Sequence, residues 1–496
     1  MSNASAKKIE HKGIALKNQS LFRNEAYING TWAKADSGKT IEVDNPATGE
    51  ILGAVPNMGA AETRRAIEAA EASWGGWRSM LASDRAKILK KWADLIVENL
   101  DDLCTILTTE QGKPLAQSKA EVLSGAGYVE WMAEEGRRVY GDIIPTHNKN
   151  MRLLTLKQPV GVSAAITPWN FPSSMITRKA GAALAAGCPV VLKPSEMTPY
   201  SALALAVLAE RAGIPKGVFN IVTGDPAPIG GELTSNPVVR KLGFTGSTAV
   251  GKMLMAQCAA TVKKVSLELG GNAPFIVFDD ANLDEAVAGA MMSKFRNSGQ
   301  TCICANRIFV QEGIYDAFAE NFAAAVKAMK VGSGLEANVD QGPLINMKGI
   351  EKVEDHLKDA KDKGAKVAAG GKRHALGGRF FEPTVLTNVN TGMKFFREET
   401  FGPLAPLFKF KTEEEAVKMA NDTEYGLAGY FYTNNIGRIW RLSEALEYGM
   451  LGVNSVAVVA PQAPFGGLKQ SGIGHEGSKY GIEDYLEIKL ISLGGI

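Results

Sequence analysis

The chain has 496 residues, of which 55 are basic and 53 acidic, giving a formal charge of +2. That balance carries no electrostatic footprint for nucleic acid or an anionic membrane, and the length exceeds what one hydrophobic core organises, so two or three domains are expected. The longest uncharged apolar stretch, Ala180 to Leu192, falls well short of the ~20 residues a membrane span needs. Residues 1–22 are polar and lack the hydrophobic block of a secretory signal. Five scattered cysteines, Cys104, Cys188, Cys258, Cys302 and Cys304, suit free thiols in a reducing cytoplasm.

From Ala60 to Arg138 apolar residues recur at three- and four-residue spacing, which predicts helices, one of them with a capped start at Ser83-Asp84. From about residue 151 the rhythm changes. Short apolar runs (Val160 to Ile166, Pro189 to Leu192, Val218 to Val222, Val239 to Phe244) alternate with Ala-rich stretches such as Ser201 to Ala212. Strands alternating with helices at this spacing predict a parallel, doubly wound sheet. A second α/β region begins at Pro274 to Phe278 and runs to about residue 455, with Gly270-Gly271 read as a freely turning hinge between the two. The charged stretch Lys352 to Lys366 reads as a solvated helix face.

Several motifs fail. Gly246 to Lys252 fits a phosphate-binding loop except at Met253, where a magnesium-binding hydroxyl is required, so nucleotide hydrolysis is not expected. The Gly-rich turn before a helix could still hold a pyrophosphate on backbone N–H groups. Gly472, Gly474 and Gly477 match a dinucleotide fingerprint by chance, too near the C-terminus for a βαβ unit. His11, His147, His356, His374 and His475 are dispersed, without zinc-binding spacing. A serine-hydrolase elbow is missing as well.

Three segments remain: Thr167 to Pro172, Leu267 to Asn272, and Gly299 to Cys304. Singly, Asn170 could be a turn residue, Glu268 a surface carboxylate and Cys302 a small buried hydrophobe. Together they supply a thiol nucleophile, an oxyanion donor and a general base.

With these residues the chain resembles the aldehyde dehydrogenase superfamily over nearly its full length, from Asn45-Pro46-Ala47-Thr48-Gly49-Glu50 to the C-terminal strand. The resemblance is carried by Pro168-Trp169-Asn170, Lys193-Pro194-Ser195-Glu196, Phe244 to Ser247, Glu268 to Gly271, Gly299 to Cys302 and Glu398 to Pro403, all in the family's order. It implies two doubly wound α/β domains and a small β oligomerisation element: an NAD-binding domain of residues 1–139 and 159–271, a catalytic domain of 272–470, and an oligomerisation element of 140–158 and 471–496. It also implies a homodimer or homotetramer, with no nucleic-acid or membrane partner.

The same resemblance assigns roles. Cys302 would attack the aldehyde, and the Asn170 amide with the Cys302 N–H would hold the thiohemiacetal oxyanion. Hydride would pass to NAD, with NADP accepted weakly, and Glu268 would activate the water that hydrolyses the thioester. Lys193 and Glu196 would meet the adenosine ribose, Glu399 and Phe401 the nicotinamide ribose, Trp169, Gly246 and Ser247 would line the cofactor cleft, and Ser195 is also expected among the cofactor-binding residues. Relatives that transfer the acyl group to CoA typically lack the base at Glu268, and a non-catalytic relative has no need of the intact set.

Within the family the chain most resembles the succinate-semialdehyde dehydrogenase branch, in Met175 to Lys179, Ser293 to Asn297 and Glu476 to Gly481. That resemblance places Arg178 and Arg296 on the far carboxylate of the substrate. A third contact, a serine in that branch, falls at Val459, where Gln462 could substitute. The pocket could instead suit glutarate semialdehyde or sulfolactaldehyde, and Arg296 could simply pair with a neighbouring acid. Cys304, two residues from the nucleophile, is expected either to pack or to form a reversible disulfide with Cys302, since side chains two apart in an extended segment share a face.

Overall fold

The computed structural model describes residues 14–496; residues 1–13, with His11 and most of the stretch considered as a secretory signal, lie outside the described residues. The first sheet holds β1 (Ala26–Ile28), β2 (Thr31–Ala33), β3 (Val162–Ile166), β4 (Val190–Lys193), β5 (Phe219–Ile221), β6 (Val239–Thr245) and β7 (Lys264–Glu268). Their order is β2-β1-β5-β4-β3-β6-β7, and Gly472–Ile473 adds an edge beside β7. Strands β3 to β7 run parallel to their neighbours. The edges are antiparallel.

These strands read as short, nearly continuous apolar runs because both faces are covered. The helices are α1 (Ala60–Ser79), α2 (Ala82–Glu98), α3 (Leu100–Gln111), α4 (Leu115–Glu135), α5 (Ser174–Ala186), α6 (Pro199–Ala212) and α7 (Thr248–Ala259). Ala165 and Leu192 pack with α2, α5 and α6 on one face. Their chain neighbours Ala164 and Val191 pack with α1 and α7 on the other, the period of two that a strand imposes. The predicted cap at Ser83-Asp84 is not used. Leu81 stands at the N-cap of α2 without a side-chain cap, and Asp84 pairs with Lys87 at 2.9 Å.

The second sheet holds β8 (Ala273–Val277), β9 (Ala305–Gln311), β10 (Lys366–Ala369), β11 (Thr384–Thr387), β12 (Leu404–Phe410), β13 (Ala428–Tyr432) and β14 (Met450–Val453), ordered β10-β11-β12-β9-β8-β13-β14. Only β10 is antiparallel to its neighbour. Apolar clusters again cover both faces, one with α8 (Leu283–Phe295), the other with α9 (Met347–Asp362). Helix α9 carries most of the charged stretch and buries Ile350, Val353, His356, Leu357 and Ala360, leaving its charges outside.

The connection between the sheets differs from a free hinge. Neither Gly270 nor Gly271 adopts positive φ, and both amides are held, Gly270 by Thr248 Oγ1 at 3.2 Å and Gly271 by Glu399 Oε1 at 2.9 Å. Glycine is required by close approach: a Cβ on Gly271 would lie 2.0 Å from the Cys302 carbonyl oxygen. A third, antiparallel sheet joins Ile143–Ile144, Met151–Pro159 and Leu486–Gly494. The segment expected as one C-terminal element is thus divided, since Gly472–Ile473 belongs to the first sheet. Among the described residues no helix is long and apolar enough to cross a membrane.

Candidate active site

The register of the first sheet gathers the sequence motifs. Ile166 lies opposite Lys193 and Phe244, and Thr245 lies opposite Glu268, so β3, β4, β6 and β7 end level with one another. The Thr167 amide donates to the Lys193 carbonyl and the Gly246 amide to the Glu268 carbonyl, both at 3.1 Å. Ligands of doubly wound sheets bind outside such carboxyl ends.

A cavity of about 330 Å³ opens there, and Trp169, Asn170, Gly246, Ser247, Cys302, Glu399 and Phe401 all stand on its wall. Ser247 caps α7, its Oγ accepting from the Val250 amide at 3.4 Å. Glycine is required at Gly246 by close approach, because a Cβ there would meet the Phe244 ring at 2.4 Å. Phe401 sits at φ 54° and meets Trp169 edge-on, with ring centroids 5.5 Å apart. Burial pushes the Glu399 carboxyl up to about 7. Lys193, Ser195 and Glu196 stand beyond this wall at the end of β4, where the Ser195 Oγ accepts from the Met197 amide at 3.2 Å.

Cys302 stands where this cavity meets a smaller one of about 30 Å³, and lines both. Burial pushes its thiol up to about 12, and the Glu399 and Glu268 charges act in the same direction. The Asn170 Nδ2 donates to the Gln300 carbonyl at 3.1 Å, which ties the amide to the Cys302 turn. Glu268 is 3 % exposed, and neither carboxylate oxygen has a hydrogen-bond partner among the described residues. Burial, reinforced by Glu476, holds its carboxyl well above the usual range. Glu476 is bonded by Lys179, whose ammonium also reaches Thr245. Lys179 and Glu476 fall within segments that carry the family likeness, which assigns neither a role. Two adjacent cations, Arg178-Lys179, in an otherwise uncharged and wholly buried α5 are the available signal.

The smaller cavity brings Arg178 and Arg296 together beside Cys302. The Arg178 guanidinium is held between the rings of Tyr128 and Phe465, at 4.6 and 4.7 Å. Its Nη1 lies 3.6 Å from Glu476 Oε2, yet Nε and Nη1 are buried without a hydrogen-bond acceptor. Arg296 lies over Phe171 at 5.2 Å, and the ion pairs found among the described residues do not include it. Val459 lines the cavity, whereas Gln462 is exposed and off its wall, so the structure does not bring Gln462 to this site.

Cys304 departs from the extended geometry expected of it. Its amide donates to the Thr301 carbonyl at 3.0 Å, so residues 301–304 form a turn and the shared-face argument does not apply. The Cys304 thiol is buried at 3.3 Å from the Lys294 Nζ, and burial raises it while Lys294 opposes the shift.

Residues 32–491 match the model of the aldehyde dehydrogenase family. A glutarate-semialdehyde dehydrogenase of Pseudomonas aeruginosa is 62% identical over 483 residues, covering 97% of this chain and 100% of the relative. A succinate-semialdehyde dehydrogenase (NADP(+)) of Escherichia coli K12 is 59% identical over 481 residues, covering 97% and 100%. The crystal structure of succinate-semialdehyde dehydrogenase from Burkholderia pseudomallei matches with a TM-score of 0.96 at 62% identity, over 97% of this chain and 100% of that one.

Proposed function

The chain belongs to the aldehyde dehydrogenase family and oxidises an aldehyde with NAD(P), and from that premise we propose that its substrate carries a distal anion, with succinate semialdehyde preferred. One observation supports this most. The nucleophilic position opens on one side to the cleft of about 330 Å³ and on the other to a small pocket bearing two arginines. A guanidinium fixed between two rings with unmet donors is an incomplete site, and a buried donor left unmade costs ~1–3 kcal/mol. A carboxylate supplies those acceptors bidentately. The likeness to the succinate-semialdehyde branch in Met175 to Lys179, Ser293 to Asn297 and Glu476 to Gly481 supports the four-carbon acid, while Val459 on the pocket wall offers no hydroxyl to the substrate.

The cleft's residues fit a dinucleotide: the side-chain-free Gly246 turn leading into the N-terminus of α7, with Glu399 and Phe401 on the same cavity wall. Bound there, NAD(P) supplies the hydride acceptor. Cys302 gives up its S–H proton to water and adds to the carbonyl carbon, forming a C–S bond as the C=O π pair moves onto oxygen, and its backbone N–H and the Asn170 amide hold that oxyanion. Loss of hydride leaves a thioester. Glu268, buried with free oxygens, takes a proton from water, the water oxygen attacks the acyl carbon, and Cys302 departs as the acid forms. Glu196 favours NAD over NADP, as does the presence of the base for hydrolysis over transfer to CoA.

Self-association as a dimer or tetramer is supported by the strand Leu486–Gly494, which lies at a sheet edge and exposes Ile488, Leu490 and Leu493. The five free cysteines favour a cytoplasmic setting. NADH formation from succinate semialdehyde, glutarate semialdehyde, sulfolactaldehyde and butanal, with and without CoA, tests the reading. The expected result is a preference for the anionic aldehydes, led by succinate semialdehyde, independent of CoA. A preference for butanal would overturn it.

A further inference from the structure

Beneath the Asn170 loop lies a buried charge pair that reaches neither cavity through its cation. Lys113, in the connection between α3 and α4, is 1 % exposed and is absent from both cavity walls. Its Nζ donates to Glu121 Oε2 at 2.5 Å and to the Asn170 carbonyl oxygen at 2.6 Å, and it lies 3.8 Å from the Phe171 ring centroid. The other oxygen of Glu121 accepts from the Ser173 and Ser174 amides at 2.9 and 3.2 Å, at the start of α5. The same Asn170 carbonyl accepts a second bond, from Asn297 Nδ2 at 3.0 Å. That Asn297 is oriented by Gln111, whose Nε2 donates to Asn297 Oδ1 at 3.0 Å while its Oε1 accepts from the Lys113 amide, also at 3.0 Å.

An ammonium sealed from water and shared between a carboxylate and one backbone carbonyl is a costly arrangement unless that carbonyl's position matters. Here it belongs to Asn170, which shares a cavity wall with Cys302 and whose side chain is bonded two residues before it, at Gln300. We propose that Lys113, with Asn297, is a positioning residue that sets the Asn170 carboxamide for the oxyanion, acting through the Asn170 backbone and not by contact with substrate. The proposal rests on the oxyanion role given to Asn170 above. The geometry gives two donors on one carbonyl, from elements on either side of the loop, so the peptide cannot rotate without breaking one of them. The Asn170 amide, already bonded to Gln300, is then presented in one orientation. Preorganised donors of this kind contribute through placement at the developing charge.

The test is a double-mutant cycle on the rate of hydride transfer in a single turnover, with saturating NAD and succinate semialdehyde. Asn170→Ala is expected to lower the rate by ~100-fold or more. Lys113→Met should lower it at least tenfold in the wild-type background, with KM for both ligands changed less than threefold. In the Asn170→Ala background, Lys113→Met should change the rate less than threefold, because no amide is left to position. A purely structural role predicts the same loss in both backgrounds, and that result, or a full rate in Lys113→Met, overturns the proposal while leaving the role of Asn170 intact. A full rate in Asn170→Ala overturns both. Since Lys113→Met leaves Glu121 buried without its cation and could fail to fold, Asn297→Gly serves as the second variant. It removes the other donor without an orphaned charge, and glycine accepts the φ of 52° found there. Its loss should vanish in the Asn170→Ala background in the same way, and additive losses overturn the proposal.

Discussion

The Lys193 ammonium donates to Glu196 Oε2 at 2.8 Å, which fixes a half-buried carboxylate beside the end of β4. A ribose 2′-hydroxyl can donate to the remaining oxygen, whereas a 2′-phosphate meets a fixed negative charge. Like charges ~4 Å apart at an effective dielectric near 20 cost about 4 kcal/mol before relaxation and screening. We therefore expect catalytic efficiency with NAD to exceed that with NADP by roughly ten- to a hundredfold. Glu196→Ser should narrow the gap, and equal efficiencies in the unmodified enzyme would contradict the assignment. The Escherichia coli relative named for NADP makes this comparison informative despite the high overall identity.

Removal of the two central groups should separate the two half-reactions. Cys302→Ala should abolish NADH formation. Glu268→Gln should release one NADH per active site in a burst and then nearly stop, because the thioester is made but not hydrolysed. Stopped-flow absorbance reads both, and sustained turnover in Cys302→Ala would refute the covalent route.

The pH dependence of hydrolysis follows from the surroundings of Glu268. Its carboxyl is held above the ordinary range by burial and then by Glu476, and only the ionised form accepts a proton from water. The acid limb of the deacylation rate should thus lie above the usual carboxylate range. Glu476→Gln removes a negative neighbour and leaves Lys179 uncompensated. Both changes favour ionised Glu268, so the limb should move to lower pH, by about half a unit or more. Movement to higher pH would show that Glu476 does not act on Glu268 through charge.

Much of this site was legible because Asn170, Glu268 and the Lys193 to Glu196 segment stand at the ends of strands whose apolar runs are continuous. The alternation from residue 151 onward located β3, β4, β5 and β6 to within a residue or two, and parallel register levels the ends that carry Asn170 and Glu268, while Cys302 joins them through the packing of its turn against Gly271. What sequence could not show depends on contacts distant along the chain. Lys113 meets Asn170 across 57 positions and Lys179 meets Glu476 across 297, and no local spacing reports either. Gly270-Gly271 was read through backbone freedom, but the packing of Cys302 against Gly271 is what demands the missing side chain. Gln462 was placed by proximity in sequence to Val459, and the intervening turn carries it outward to solvent. A similar local assumption, an extended backbone, was wrong for residues 302–304.

The two arginines should act on charge at the far end of the substrate. Arg178→Ala and Arg296→Ala each remove a guanidinium from the small pocket, and loss of a buried charged partner typically costs ~2–5 kcal/mol. Efficiency with succinate semialdehyde should fall tenfold or more in each variant. Butanal, which presents no anion, should be affected far less. Equal losses for both aldehydes would mean that the arginines hold the pocket's shape, with Arg178 serving chiefly to neutralise Glu476.

Oxidation provides the last test, since it asks whether Cys304 can reach the nucleophile. A disulfide needs Cβ atoms ~3.5–4.5 Å apart with their side chains directed at each other. Cys302 lines both cavities, while Cys304 is buried against Lys294 across a hydrogen-bonded turn. Peroxide entering the cleft should therefore meet Cys302 alone and convert it to a sulfenic acid, which an added thiol reduces through a mixed disulfide. Inactivation and rescue should proceed at the same rates in Cys304→Ala as in the unmodified enzyme. Mass spectrometry of the inactivated protein should find oxygen added at Cys302 and no bridged peptide. Rescue that is lost or markedly slowed in Cys304→Ala would show instead that the turn opens and the second thiol resolves the first.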